Sequence, residues 1–248
     1  MIQDLHVHSY YSFDSNDHPE KIIEGAILAG VQTLGFSDHN HSVGLARKSE
    51  CYGRGTHLDV DYDRTLIRYF DHITLLKEKY KNKIKILRGL EVATCISKDN
   101  YALPHSADVS HFDYCLVEGL GKPNSIMNDD IFSFAKRCGC TVGIAHTDLF
   151  AFCEKIGEEP FRFFRKLAEH GIFWEINVNL DSSHNFQTHA YAMEFLRNKA
   201  QQETVRKTGA RLSVGFDSHN IKEYKPDRVK TACKIIQGAG IHLAFDNR

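Results

Sequence analysis

Seven short apolar segments, each followed by a helical stretch or a loop, constrain the fold of this 248-residue chain more than any other feature. The segments are rich in Val, Ile, Leu and Phe and show little polar alternation, as strands buried on both faces of a parallel sheet do. The predicted strands are Ile2–Val7, Thr33–Ser37, Ile84–Val92, Tyr114–Gly119, Thr141–Ala145, Phe173–Val178 and Arg211–Phe216.

Between these segments, apolar residues recur every three or four positions, which is the helical period. The predicted helices are Pro19–Ala29, Asp63–Tyr80, Asp129–Arg137, Pro160–His170, Thr188–Lys207 and Asp227–Gln237. Strand–helix–strand units are right-handed and repeat readily, so this order favours a closed or nearly closed barrel. We therefore predict a single α/β domain over residues 1–248, a distorted seven-stranded (β/α)7 barrel similar to a TIM barrel. A doubly wound open sheet is the alternative.

Composition narrows the class of partner. The formal net charge is -1, and no run of like charges is long enough to hold long nucleic acid or an anionic membrane. No apolar run approaches the roughly 18–20 residues that cross a bilayer, and the start lacks the pattern of a signal peptide. The seven cysteines are scattered, which favours reduced thiols, and Cys138 and Cys140 are expected to be small buried or boundary residues. We expect a cytoplasmic protein with a small partner; the oligomeric state stays open.

Polar side chains that bind metals or carry protons follow five of the seven predicted strands. The segments are Asp4-Leu5-His6-Val7-His8-Ser9, Ser37-Asp38-His39-Asn40, Gly89-Leu90-Glu91, Ala145-His146-Thr147-Asp148 and Gly215-Phe216-Asp217-Ser218-His219. Single polar residues at strand ends are explained by solubility, but that explanation is weak for five strands at once. Because the C-terminal strand ends of a barrel converge on one crater, the pattern predicts a metal centre there.

The order D-x-H-x-H-S, S-D-H-N, G-x-E, A-H and G-x-D-S-H resembles the PHP superfamily, which is named for its polymerase and histidinol phosphatase members. The resemblance runs from Asp4 to His219. The stand-alone branch, which includes histidinol-phosphate phosphatases, is the most similar. The resemblance implies a distorted seven-stranded barrel, two or three divalent metal ions and phosphoesterase activity.

The resemblance also implies three sets of metal ligands. The first set is His6, His8, Glu91 and Asp217. The second is Asp14, His39 and His219, where Asp14 stands at a position that several relatives fill with His. The third is Glu91, as a bridging ligand, and His146. The family usually supplies one more His after the fourth strand, which this chain lacks; either Glu118 replaces it as an oxygen ligand or the third site is weak or empty.

Mixed imidazole and carboxylate ligands suit Zn, Mn or Fe. Two such cations offset the charge of a phosphate ester and lower the pKa of a bound water. We therefore predict hydrolysis of a small phosphomonoester, similar to histidinol phosphate, by attack of a hydroxide that bridges the metals. The alternatives are a phosphodiesterase or nuclease that acts on nucleotides, and a metal-binding scaffold without turnover.

Further predictions concern proton transfer and substrate binding. Asp38 and Asp4 lie beside proposed ligands and are positioned to orient an imidazole. Asp148 either protonates the leaving group or caps the next helix, and His219 is also placed in the catalytic set. The predicted substrate contacts are Arg47, Arg54, Asn177 and His184, with Arg88 and His189 as further candidates.

Overall fold

A computed structural model describes residues 1–40, 43, 62–94, 103, 108–122, 125, 130–179 and 189–246. Within the range 62–94, side chains are described from residue 66 onward. Within these residues, seven strands form one parallel sheet in the order of the sequence. They are β1 (Gln3–Val7), β2 (Thr33–Phe36), β3 (Lys85–Ala93), β4 (Tyr114–Glu118), β5 (Thr141–Ile144), β6 (Phe173–Asn177) and β7 (Leu212–Gly215).

The first and last strands meet just beyond the end of β7. His8 donates its backbone N–H to the carbonyl of Ser218 at 2.9 Å, and Asp217 donates to the carbonyl of His6 at 2.7 Å. Asp4 adds a side-chain link, since its Oδ1 accepts the backbone N–H of Phe216 at 3.0 Å. These contacts bring the sheet edges together into a nearly closed barrel, so the predicted fold is confirmed and the open sheet is excluded.

Eight helices of the described residues surround the strands. They are α1 (Pro19–Leu28), α2 (Tyr62–Tyr80), α3 (Ile131–Cys138), α4 (Leu149–Ile156), α5 (Pro160–Glu169), α6 (Ala190–Arg197), α7 (Lys199–Thr208) and α8 (Pro226–Gly238). The single helix predicted over Thr188–Lys207 is wrong: Asn198 is extended, and its side chain accepts the N–H groups of Ala200 and Gln201 to begin α7. Helix α4 was not predicted. None of these helices is long and apolar enough to cross a membrane.

A small apolar layer fills the barrel beneath the C-terminal strand ends. Its buried members are Leu5, Leu87, Tyr114, Leu116, Ala145, Phe173 and Ala244. The Tyr114 hydroxyl donates to the backbone carbonyl of Leu5 at 2.7 Å and also lies 3.2 Å from that of Phe36. A Cβ on Gly89 would overlap the Tyr114 ring, so glycine is needed on the neighbouring strand. This layer closes the barrel and forms a floor below the rim.

Candidate metal centre

Imidazole and carboxylate side chains meet at the C-terminal rim of the barrel. His6 lies on β1, Glu91 lies near the end of β3, and Glu118 is the last residue of β4. His8 directly follows β1, and Asp14 lies in the loop before α1. The ends of β2, β5 and β7 are followed by His39, by His146, and by Asp217 and His219, respectively. The nine side chains that the sequence predicted as ligands are thus brought to one rim, in four overlapping groups whose donor atoms lie within 4.8 Å of one another.

The first group consists of His6, His8 and Asp217. The Nε2 atoms of His6 and His8 lie 3.0 Å apart, and Asp217 Oδ1 is 3.4 Å and 3.1 Å from them, respectively. The pairing of β1 with β2 shifts register between Asp4 and Val7. Such an irregularity re-aims a side chain, which explains why His6 faces the centre although its neighbour Leu5 belongs to the barrel interior.

The second group is formed by Asp14, His39 and His219, together with His8. Asp14 Oδ2 lies 3.4 Å from His39 Nε2 and 3.3 Å from His219 Nε2. The rings of His8 and His219 are stacked with their centroids 4.0 Å apart. The first two groups are therefore adjacent, and His8 belongs to both. Asp14 therefore lies within reach of the same point as both imidazoles.

Glu91 lies between the groups. Its Oε1 is 3.0 Å from His146 Nε2 and 3.3 Å from His6 Nε2, and its Oε2 is 2.9 Å from His39 Nδ1. The carboxylate of Glu118 joins His39 and Glu91 in a further group. A carboxylate with one oxygen toward each side is suited to bridging two cations, which is the role that the family resemblance implies for Glu91.

The donor set fits divalent cations. Among the described residues, neither Asp14 Oδ1 nor Asp217 Oδ1 receives a hydrogen bond, although both atoms are buried. A buried anionic oxygen without a partner is costly, so it calls for a positive charge. Asp217 also has a left-handed backbone, with φ of 56°, a conformation that an aspartate adopts at a cost and that often marks a functional site. Imidazole nitrogens and carboxylate oxygens together are ligands that transition-metal cations accept.

The charges at this rim are strongly coupled. Burial acts to raise the pKa of Glu91 and Asp217, but the surrounding histidines outweigh it and both values fall well below normal. Burial acts to lower the pKa of His6, but the carboxylates around it, beginning with Glu175, raise it well above normal. Burial together with His219 and His39 lowers the pKa of His8 to about 3. The low pKa of His8 keeps its imidazole neutral at neutral pH, whereas a metal at His6 would have to displace a proton, because the pKa of His6 is raised.

Glu175 is the main residue of the centre that sequence reasoning missed. Its Oε1 lies 2.7 Å from His6 Nδ1, and its Oε2 accepts the backbone N–H of His146 at 2.7 Å. Glycine at position 215 leaves room for this pair, since a Cβ there would lie 2.6 Å from that of His6 and would overlap Glu175. The signal was present: Glu175 lies two positions before Asn177 on β6 and so shares its face.

Asp38 acts through two serines of the loop that follows β1. It accepts hydrogen bonds from the N–H and Oγ of Ser9 and from Ser12 Oγ, all at 2.7–2.9 Å. Ser12 Oγ in turn lies 2.9 Å from His8 Nδ1. The structure therefore places Asp38 behind the ligands rather than at the reacting atoms, and Asp4 likewise binds backbone N–H groups instead of an imidazole.

Two predicted site residues are used elsewhere. The exposed Asp148 accepts the N–H groups of Phe150 and Ala151 and caps α4, so the helix-cap alternative describes its place. Asn177 is fully buried; its Nδ2 points to Glu175 at 3.5 Å and its Oδ1 accepts the N–H of Asn179. This arrangement favours a structural role for Asn177, in which it positions Glu175 and the turn at Asn179, over the predicted substrate contact.

The remaining candidates differ in position. Arg88 makes a two-pronged ion pair with Asp113 away from the rim, so it is not available to hold a phosphate there. His189 is buried, and its ring stacks on that of His146 at 5.6 Å, so it belongs to the surroundings of the centre. Arg47, Arg54 and His184 lie outside the described residues.

Parts of the chain are similar in sequence to two known enzymes. The chain is 34% identical over 89 residues, 36% of its length, to the histidinol-phosphatase of Lactococcus lactis. It is 44% identical over 50 residues, 20% of its length, to the phosphoribosyl 1,2-cyclic phosphate 1,2-diphosphodiesterase of Eggerthella lenta. These matches cover only 28% and 19% of the two relatives' own lengths.

The fold is also found in a solved structure. The histidinol phosphate phosphatase of Lactococcus lactis, complexed with zinc, L-histidinol and phosphate, matches with a TM-score of 0.60 at 22% identity, over 98% of this chain and 95% of that one. At this identity the likeness concerns the fold. The model of the PHP domain matches residues 4–243, nearly the whole chain. This chain therefore belongs to the PHP domain family.

Proposed function

We propose that this protein is a metal-dependent phosphoesterase that hydrolyses a small phosphomonoester similar to histidinol phosphate. One observation carries the proposal: nine imidazole and carboxylate side chains from distant parts of the chain converge at one rim, and buried oxygens of Asp14 and Asp217 lack hydrogen bonds from the described residues. The partial match to the histidinol-phosphatase of Lactococcus lactis supports the substrate class.

The proposal includes two or three divalent ions of zinc, manganese or iron. The residues that would hold them are His6, His8 and Asp217 on one side, Asp14, His39 and His219 on the other, with Glu91 between and His146 and Glu118 beside it. When bound, such cations offset the charge of a phosphate ester and favour deprotonation of a water at neutral pH.

The chain's own residues prepare two histidines for this role. Ser12 Oγ has one proton, which it donates to Asp38, and it also accepts the backbone N–H of His39 at 3.1 Å. The nearby Nδ1 of His8 must then be the donor to Ser12, which leaves its Nε2 lone pair facing the centre. A carboxylate can only accept a hydrogen bond, so the Nδ1–H group of His6 donates to Glu175. This leaves the Nε2 lone pair of His6 facing the centre as well.

The test compares turnover of histidinol phosphate, p-nitrophenyl phosphate and bis-p-nitrophenyl phosphate, with added Mn²⁺ or Zn²⁺ and after chelation. We expect phosphate release from the monoesters, loss of turnover on chelation and recovery when metal is restored. A preference for the diester would contradict the substrate class. Bound metal without any turnover would contradict the enzymatic role and favour a scaffold.

A second candidate is a phosphodiesterase. The match to the Eggerthella lenta diphosphodiesterase favours it, because 50 residues are 44% identical. The near-neutral net charge of -1 counts against long nucleic acid as substrate. A small cyclic or nucleotide diester is therefore the form that this candidate takes, and the diester arm of the same assay separates it from the first.

A further inference from the structure

A second group of metal-ligating side chains lies away from the rim. It consists of the thiols of Cys115, Cys138 and Cys140, whose sulfur atoms all lie within 4.8 Å of one another. The Cys138 and Cys140 sulfurs are 3.5 Å apart, and the Cys140 and Cys115 sulfurs are 3.7 Å apart. A disulfide is about 2 Å long, so the three thiols are free and in mutual contact.

Three separate elements hold these thiols. Cys115 is the second residue of β4 and belongs to the core between sheet and helices, whereas its neighbours Tyr114 and Leu116 fill the barrel. Cys138 ends α3, and Cys140 directly precedes β5. Gly139 between them has a φ of 74°. This left-handed cap turns the chain, so that both sulfurs face Cys115.

The thiol group is distinct from the rim. Cys115 pairs with Val142 near the start of β5, and three residues of strand, about 10 Å, separate it from Glu118. Cys115 and Cys138 are buried, whereas Cys140 is partly exposed, so an ion can reach the group from one side. Two other described thiols, Cys153 and Cys233, are buried outside this group.

The sulfur spacing suits a small thiophilic cation. Zinc–sulfur bonds of about 2.3 Å in a tetrahedral site place sulfurs about 3.8 Å apart, close to the 3.5 Å and 3.7 Å observed. Among the described residues, no fourth Cys, His, Asp or Glu joins the group. An ion here would therefore have three thiolate ligands, with either a water molecule or nothing in the fourth position.

We propose that Cys115, Cys138 and Cys140 form a structural site for a thiophilic d¹⁰ cation, Zn²⁺ or Cu⁺, on the outer side of β4 and β5. The ion would fasten the end of α3 to the two strands. The site is independent of the phosphoesterase proposal, because it shares no residue with the rim. Soft thiolate ligands select such ions over the harder cations that carboxylates prefer.

The test titrates the reduced, metal-free full-length protein with Cd²⁺, a soft d¹⁰ probe, and follows the ultraviolet thiolate-to-cadmium charge-transfer band. Imidazole and carboxylate ligands at the rim do not produce this band. Because the rim ligands also take up Cd²⁺, we expect the band in the wild type to saturate at the amplitude of one thiolate site, whatever number of equivalents the rim binds. Cys115→Ser, Cys138→Ser and Cys140→Ser should each weaken Cd²⁺ binding by more than about 100-fold, beyond the loss usual for an outer-shell change. Cys153→Ser and Cys233→Ser are the matched controls and should keep the band.

A second measurement needs no variant. Alkylation of the native protein followed by mass spectrometry should show that Cd²⁺ protects Cys140, the partly exposed thiol of the group. Displacement of Cd²⁺ by Zn²⁺ or by Cu⁺ then identifies the preferred ion. The proposal is overturned by absence of the band, by a band that survives Cys138→Ser, or by protein isolated under reducing conditions with Cys138 and Cys140 joined and the mass of two hydrogens lost.

Discussion

Acidic side chains at the two ends of the barrel differ in where their positive partners come from. At the N-terminal end, Asp113 faces Arg88 through two contacts of 3.0 Å and Lys77 at 3.1 Å. At the C-terminal rim, Asp14 and Asp217 each keep a buried oxygen that no described residue supplies with a hydrogen bond. The acid of the first end is hydrogen-bonded within the chain, whereas at the second end the neighbouring histidines leave these two oxygens without a hydrogen bond, as binding of a cation would require.

This contrast separates stability from function. A barrel concentrates catalysis at the C-terminal ends of its strands and leaves the other end to hold the fold. Variants at the rim should therefore change metal binding and activity with little loss of stability. Variants at the floor or the N-terminal end should do the reverse.

The largest effect is expected from Asp217→Ala. The change removes a carboxylate that lies 3.1 Å from His8 Nε2 at the rim. Loss of one preorganised electrostatic group lowers a rate by about 10²–10³-fold. Because Asp217 is proposed to bind the metal, its loss should lower kcat/KM by at least about 1000-fold. His39→Ala should behave alike. Phosphate-release kinetics, with thermal unfolding as a check on folding, measure both.

The control for that variant is Asp227→Ala, because Asp227 is a 93% exposed aspartate on α8. It should leave kcat/KM unchanged. Near-normal turnover of Asp217→Ala at full metal occupancy would show that the rim has been assigned wrongly.

A smaller effect is expected from Glu175→Gln. The shape is kept, but the carboxylate that accepts from His6 Nδ1 at 2.7 Å is replaced by an amide. Loss of such a supporting partner lowers metal affinity by about 10–100-fold. Competition with a chromogenic chelator measures this change, and exposed Glu169→Gln on α5 serves as control. An unchanged affinity would mean that Glu175 only fills space.

Tyr114→Phe tests the floor of the barrel. The buried hydroxyl donates to Leu5 and lies close to the carbonyl of Phe36, so its removal leaves buried acceptors unsatisfied. We expect unfolding free energy to fall by about 1–2 kcal/mol, with metal affinity unaltered. Denaturant unfolding and metal titration give the two readouts; a selective loss of metal affinity would contradict the separation of floor and rim.

The smallest effect concerns Asp113→Asn and depends on pH. Burial acts to raise the pKa of Asp113, but hydrogen bonds from Arg88 and Lys77 outweigh it and the pKa is lowered. A lowered folded pKa stabilises the protein above the unfolded value of about 3.9, and this stability is lost as pH falls through the folded pKa. The variant should be less stable by about 0.5–1 kcal/mol at pH 7. In denaturant unfolding curves, the difference in unfolding free energy between wild type and variant should disappear as the pH falls below about 4. A difference that stays constant with pH would refute the ion-pair explanation.

Much of the fold was predictable because its signals are local. Apolar runs marked all seven strands, and the helical period marked the helices except at two places. The break at Asn198 was missed because an asparagine inside a helix costs little by itself. Helix α4 was missed because the apolar residues of Leu149–Ile156 run consecutively over its first five positions and show no three- or four-residue period.

The residues of the rim that lie at strand ends could be predicted from the sequence. A residue that only hydrogen-bonds to a ligand was harder to predict. His6 and Asp217 stand at strand ends and were found. Glu175 lies within a strand, and its place on the same face as Asn177 was its one sequence signal, which did not reveal that it supports His6. Cys115 is 23 positions from Cys138, by their numbers in the sequence, so only the packing of α3 on β4 joins them.

Anomalous scattering from metal-replete crystals tests the central claim most directly. The account predicts one peak beside His6, His8, Glu91 and Asp217 and a second beside Asp14, His39 and His219. Crystals that scatter anomalously at neither position would contradict it, and the proposed hydrolysis would fail with the metal centre.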